Sequence, residues 1–299
     1  MRRKYYTLDV FTDAALAGNP LAVVLDCDGL NDERMQAIAR EFNLAETVFV
    51  FDPRNPINTA RLRIFTPGRE LTFAGHPTVG TAVLLAELRA PELLARQDLR
   101  IVIEEGVGDI VCVARHRQNQ APAAYFTLPR LPDRIGQAPS AATLAPQLGL
   151  NVEDIGFGGH GPSAYSAGTP FVLVPIASRA ALARARPDAN SWGEGGGPAI
   201  YLYTREAERE GSSFRARMFA GGWGVREDPA TGSAAAALAG ALMQFEPPTD
   251  GETMLVIEQG VEMGRPSLIS LGLEVEKGVL LSATIGGSAV IVAQGAINL

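Results

Sequence analysis

The strongest constraint on this chain is that it contains one pattern twice. FAGHPTVGTAVLLAEL from Phe73 and DPATGSAAAALAGAL from Asp228 share a grammar. His76, Pro77, Gly80, Thr81 and Ala82 fall opposite Asp228, Pro229, Gly232, Ser233 and Ala234, a separation of 152 (228 − 76). The flanks repeat in the same order. RLRIF from Arg61 matches RARMF from Arg215 (215 − 61 = 154), and IEEGV from Ile103 matches IEQGV from Ile257 (257 − 103 = 154). GNPLAVV from Gly18 matches GTPFVLV from Gly168 (168 − 18 = 150). Four ordered landmarks, with a drift that loops absorb, indicate an internal duplication rather than a solenoid of short repeats. A site between the two halves is the expectation.

Each copy of the central motif reads as a tight turn opening a helix. Glycine permits close approach of a ligand, Thr81 or Ser233 is expected to cap the helix, and the free N–H groups of a first turn attract anions. Two such helix starts facing each other would bind a carboxylate. Gly75, Thr231 and Gly232, beside the helix starts, and Asn19, in the first landmark, are the expected substrate contacts.

At 299 residues the chain is expected to form two domains, and a chain of this size buries about 75% of the surface its unfolded form exposes. The net charge of −7 provides no basic footprint for nucleic acid or anionic membranes and leaves small molecules as the expected partners. Two cysteines, Cys27 and Cys112, in apolar segments fit buried thiols in a reducing cytoplasm. The opening MRRKYYTLDVF lacks the apolar stretch of a secretory signal. The uncharged run from Gly278 to Leu299 is long enough to span a bilayer, but polar residues interrupt it. It is expected to form core strands such as ATI and AVIVA, separated by a Gly-Gly turn.

In order, Tyr5–Val10 and Leu21–Leu25 read as a hairpin, and Met35, Ile38, Ala39 and Phe42 as a helix capped by Asn31 or Asp32 and ending near Asn43. LAETVFVFD places Glu46 at the beginning of a strand. Its counterpart at a separation of 152 is Pro198, so the carboxylate exists in one copy only. A second helix is expected from about Pro77 to Leu88, and further strands at Leu99–Glu104 and Asp109–Arg115. The proline-rich stretch from Leu128 marks the domain boundary, giving domains 1–130 and 131–299, whose last strands could pack back on the first. Gly156, Gly158 and Gly161 satisfy GxGxxG, but no strand leads in and Pro162 blocks a following helix, so no dinucleotide site is expected. The Gly-rich segment 191–197 reads as a surface loop.

The chemistry on offer is acid–base. Glu46 reads either as a solvated strand-end carboxylate or as an acid–base group, and His76 either as a structural turn residue or as the partner of Asp228 across a pseudo-twofold axis. Ser233 reads first as a helix cap. A Ser233–His76–Asp228 triad lacks the GxSxG elbow, and His76, His116 and His160 are spaced unlike metal ligands. Cofactor-free proton transfer at carbon fits, with the substrate carboxylate at the helix starts and Glu46 moving the proton.

DVFTDAALAGNPLAVV, NLAETVFV, RIFTPGRELTFAGHPTVGTA and DPATGSAAAALAG resemble the phenazine-biosynthesis PhzF-like isomerases across nearly the whole chain. The resemblance implies an α+β fold of two duplicated domains, each a curved, mostly antiparallel sheet or barrel around a central helix, as in diaminopimelate epimerase. It implies a homodimer with no metal or organic cofactor. It also implies that Glu46 shifts a proton on a dihydro-hydroxyanthranilate ring, assisted by His76, Asp228 and Ser233. Ala45 stands where many members have serine. The epimerase relatives use two cysteines at the helix starts, and neither motif here has one. An amino-acid racemase using Glu46 and His76 as bases on opposite faces, and a non-catalytic carboxylate-binding protein, stand as alternatives.

Overall fold

The structure, a computed structural model, describes residues 2–187, 199–220 and 225–299. The Gly-rich segment 191–197 and Pro198 lie outside the described residues. The chain divides into two compact units, Met1–Pro129 with Gly286–Leu299, and Arg130–Ile285.

The first unit runs β1 (Arg2–Val10), β2 (Asn19–Val24), α1 (Asp32–Phe42), β3 (Glu46–Phe51), β4 (Ala60–Phe65) and β5 (Glu70–Leu71). It continues with α2 (Gly75–Arg89), α3 (Pro91–Leu94), β6 (Leu99–Glu105), β7 (Gly108–Arg115) and β8 (Ala123–Thr127). The second unit runs β9 (Asp133–Arg134), α4 (Ala141–Leu148), β10 (Ser163–Ser166), β11 (Pro170–Pro175), α5 (Arg179–Arg184) and β12 (Ala199–Thr204). After these come β13 (Phe214–Ala220), β14 (Val225–Asp228), α6 (Gly232–Phe245), β15 (Gly251–Gln259), β16 (Ser267–Glu276) and β17 (Val279–Asn298).

The duplication is written into the strand register. β2 pairs with β3 in parallel, as β11 does with β12. β4 pairs with β6 in parallel through Ala60↔Ile103, as β13 does with β15 through Phe214↔Ile257, and both partners are displaced by 154 (214 − 60 and 257 − 103). The longest remaining pairings, β1–β2, β1–β17, β3–β4, β6–β7, β12–β13 and β15–β16, are antiparallel. The same register places Ala199, rather than Pro198, at the counterpart of Glu46, because Leu21↔Glu46 in one unit matches Phe171↔Ala199 in the other. The carboxylate still occurs once.

Each unit wraps its sheet around one helix that is buried on every side. All residues of α2 from Gly75 to Ala86 are buried, as are those of α6 from Ala234 to Leu242. A helix apolar all round belongs inside a core. The alanines of α6 keep its diameter small, so that strands approach closely. α1 is instead amphipathic: Asn31 caps its start by accepting from the Arg34 N–H, Asn43 ends it in the left-handed conformation at φ 51°, and Met35, Ile38 and Ala39 face the sheet.

One expectation fails here. The C-terminal run is one continuous strand, β17, and not two strands around a Gly-Gly turn. Gly286 serves close packing instead: a Cβ there would lie 2.6 Å from the Ala124 carbonyl oxygen and against the Tyr125 ring. The helix expected from about Pro77 is present and opens at Gly75, since proline is tolerated within a first turn. The GxGxxG segment precedes β10 and opens no helix, as its proline requires. Among the described residues, no helix is long and apolar enough to cross a membrane.

Candidate active site

In the first unit the structure brings Glu46 and His76 into contact. Glu46 is the first residue of β3, three residues past the left-handed Asn43 that stops α1, and is half-buried. His76 is the second residue of α2 and is buried. Its Nε2 lies 3.3 Å from Glu46 Oε2. The distance is that of an ion pair, but the imidazole is uncharged: burial lowers its pKa from 6.5 to about 3. The approach is also not aligned as a hydrogen bond. The pair is therefore a neutral imidazole against a carboxyl group, in van der Waals and polar contact. Asn19, wholly buried, opens the neighbouring strand β2 two residues before Leu21, which pairs with Glu46. Gly75 is the first residue of α2 and is buried. The N-cap residue, Ala74, offers no side chain to the helix, so the N–H groups of Gly75 and His76 have no partner in a regular helix.

The second unit builds a different cluster. Asp228 ends β14, half-buried, and accepts a 2.5 Å hydrogen bond from Thr231 Oγ1. Gln259, the last residue of β15, donates to Thr231 Oγ1 at 2.9 Å and to the Asp228 carbonyl oxygen at 2.8 Å, and accepts from the Thr231 N–H at 3.2 Å. Thr231 is thus held between Gln259 and Asp228 and orients the carboxylate. Gly232 opens α6, and Ser233, half-buried, is its second residue. Tyr201, on β12, is fully buried with a hydroxyl that has no hydrogen bond among the described residues. Burial, and after it the charge of Asp228, push its ionisation up, so it remains a donor.

The expectation that Thr81 or Ser233 caps its helix is not met. α2 opens at Gly75, leaving Thr81 in the second turn with its hydroxyl buried and without a hydrogen bond among the described residues. In α6 the N-cap residue is Thr231, and Ser233 is already inside the helix. The two motifs therefore align by residue type but not by helix start. His76 rides on its helix, whereas Asp228 precedes α6 by four residues (232 − 228).

Gln259, bonded to Asp228 and Thr231, and Tyr201, whose ionisation the charge of Asp228 helps to raise, escaped sequence reasoning. The signal for Gln259 was present, since it is the third residue of the repeated IEQGV, opposite Glu105 in IEEGV. Both cysteines are free and buried, with burial pushing the Cys27 thiol up to about 12. His160 is a core histidine, stacked on Phe157 with Nδ1 3.0 Å from the Tyr203 hydroxyl. Among the described residues, no three His, Cys, Asp or Glu side chains gather as metal ligands.

Comparison with known proteins places the chain in a family. The profile of a family described as phenazine biosynthesis-like protein matches residues 8–295. An uncharacterized isomerase of Mesorhizobium japonicum is 49% identical over 301 residues, covering 98% of each chain. The trans-2,3-dihydro-3-hydroxyanthranilate isomerase of Pseudomonas chlororaphis is 35% identical over 296 residues, covering 99% of each. Among solved structures, a phenazine biosynthesis protein of the PhzF family from Bacillus anthracis superposes with a TM-score of 0.88 at 28% identity, over 100% of both chains. With matches along nearly its whole length, the chain belongs to the phenazine biosynthesis-like protein family and is an isomerase.

Proposed function

We propose that this isomerase moves a proton on a small cyclic or unsaturated carboxylate, with Glu46 as its general acid and base and no cofactor. The observation that carries the reading is the contact of Glu46 with a buried, uncharged His76. A neutral imidazole exchanges hydrogen bonds with substrate and carboxylate without competing for the charge. Glu46 breaks a C–H bond and takes up the proton. The double bond shifts along the conjugated system, and the same proton is returned to the far carbon, so atoms and charge balance.

The remaining roles follow from the chemistry of each group. The N–H groups of Gly75 and Gly232 suit the substrate carboxylate. Asp228, oriented by Thr231, and Ser233 suit its other polar groups, and Asn19 lies beside the strand that presents Glu46. Trans-2,3-dihydro-3-hydroxyanthranilate is the candidate substrate, since it is the compound named for the Pseudomonas chlororaphis relative and is a cyclic, unsaturated carboxylate. Ala45 leaves a different surface before the glutamate from that of family members with serine, and this can alter which ring is accepted.

The racemase reading fares worse. Inversion by two bases needs them on opposite faces of one carbon, and two groups 3.3 Å apart leave no space for a carbon between them. Proton NMR of the purified protein with this compound in D₂O tests the proposal. Loss of substrate signals with a shifted double bond is expected. Deuterium entry with inversion and no shift would instead favour an epimerase, and tight binding without exchange a binding protein.

A further inference from the structure

Glu105 follows Glu104 along β6, and the alternation of a strand turns the two to opposite sides. Glu104 accepts from the N–H groups of Arg54 and Asn55. Glu105 faces α2, where its Oε1 lies 2.7 Å from Thr78 Oγ1. Thr78 Oγ1 lies equally 2.7 Å from the carbonyl oxygen of Ala74, four residues back. A threonine hydroxyl has one proton, and a carbonyl oxygen only accepts. When Thr78 donates to Ala74, the contact with Glu105 needs a proton from the carboxyl group. An ionised Glu105 would draw the hydroxyl proton away from the helix, and its Oε2, buried without a hydrogen bond among the described residues, would be a desolvated charge.

The second unit makes the same tie with an uncharged side chain. Gln259, 154 residues on (259 − 105), donates to Thr231 Oγ1, whose own proton goes on to Asp228. A protonated Glu105 reproduces that amide: it donates to a threonine whose proton is committed to the group beyond.

No counter-ion faces Glu105 among the described residues. On β7, the thiol of Cys112 is held protonated by burial, and Asp109 is bonded to Asn58. On β4, Arg61 pairs across from Glu104 and lies over the Phe51 ring, and on β5, Glu70 is bound to Arg63. On α2, His76 is neutral. Burial pushes the Glu105 carboxyl up to about 8 against the opposing effect of the Thr78 bond.

We propose that Glu105 is a neutral carboxylic acid whose hydrogen bond to Thr78 holds the first turn of α2, and with it His76, in place against Glu46. Glu105 is thus a positioning residue, and its ionisation unfastens that turn. The positioning role rests on the reading of Glu46 and His76 as the reacting pair; the neutral acid does not.

Two measurements test the two parts separately. Carbon-13 NMR of protein labelled at the glutamate carboxyl carbons is followed from about pH 5 to pH 10, with the Glu105 resonance assigned by its loss in Glu105→Gln. A resonance that is neutral at pH 7 and titrates near pH 8 is expected; one already ionised at pH 6 overturns the proposal, whatever the substrate. The pH dependence of kcat then reads the positioning role. Wild type is expected to lose activity above about pH 8. Glu105→Gln, carrying the amide of Gln259, is expected to retain most of the activity at pH 7 and to lose the alkaline decline. Glu105→Ala is expected to lower kcat about tenfold or more with little change in KM. An alkaline decline shared by wild type and Glu105→Gln, or a glutamine variant as slow as the alanine variant, overturns it. Failure of the protein to turn over trans-2,3-dihydro-3-hydroxyanthranilate contradicts that choice of substrate, while the carboxyl titration still decides whether Glu105 is neutral.

Discussion

His76 is held where water cannot stabilise its charged form, and that choice has a thermodynamic signature. Its pKa falls from 6.5 to about 3 through burial. Below pH 6.5 the unfolded chain takes up a proton that the folded protein refuses, so stability drops as the pH falls from 6.5 toward 3, by up to ~1.4 kcal/mol per pH unit from this group. His76→Gln lacks the group. Urea unfolding of both proteins across this window should show the variant gaining on wild type as the solution is acidified. A constant difference between them would mean that His76 is charged in the folded state. Thr231 makes a complementary point, since its hydroxyl and its N–H are both engaged and it serves Asp228.

At the scale of elements, the two central helices and the loops tied to the strands beside them account for the scaffold. The first acid of each repeated IE motif secures a loop. Glu104 accepts from the N–H groups of Arg54 and Asn55, and Glu258 from those of Glu208 and Arg209, all displaced by 154 (208 − 54, 209 − 55, 258 − 104). Burial opposes ionisation of Glu104, but these N–H bonds and Asn58 hold its carboxyl below the usual range. The helices themselves depend on small residues at close contacts. A Cβ on Gly240 of α6 would lie 2.3 Å from the ring of the buried Tyr165. Gly240→Ala gains ~1 kcal/mol of helix propensity but costs about 1–3 kcal/mol in overpacking. Net destabilisation is therefore expected, read as a lower denaturant midpoint with an unchanged slope. A stabilised variant would show that the sheet can move off the helix.

For the whole molecule, the duplication and the element order were legible because they rest on local residue pattern. IEEGV and IEQGV, or RLRIF and RARMF, carry the same contacts in both units, and Asn31 and Asn43 delimit α1 by side-chain chemistry that a sequence displays. What remained hidden depended on partners distant in sequence. The tie of Thr78 to Glu105 and that of Thr231 to Gln259 arise only when β6 and β15 lie beside the helices. The Gly-Gly pair in β17 reads as a turn until the Tyr125 ring is seen against it. The central claim is that a single carboxylate, present in one copy of a duplicated scaffold, moves the proton. Its most direct test is the rate at which wild type and Glu46→Gln convert trans-2,3-dihydro-3-hydroxyanthranilate, measured by NMR under identical conditions. A variant slower by at least ~10²-fold, as loss of a general acid–base group produces, is the predicted result; equal rates would remove Glu46 from the mechanism.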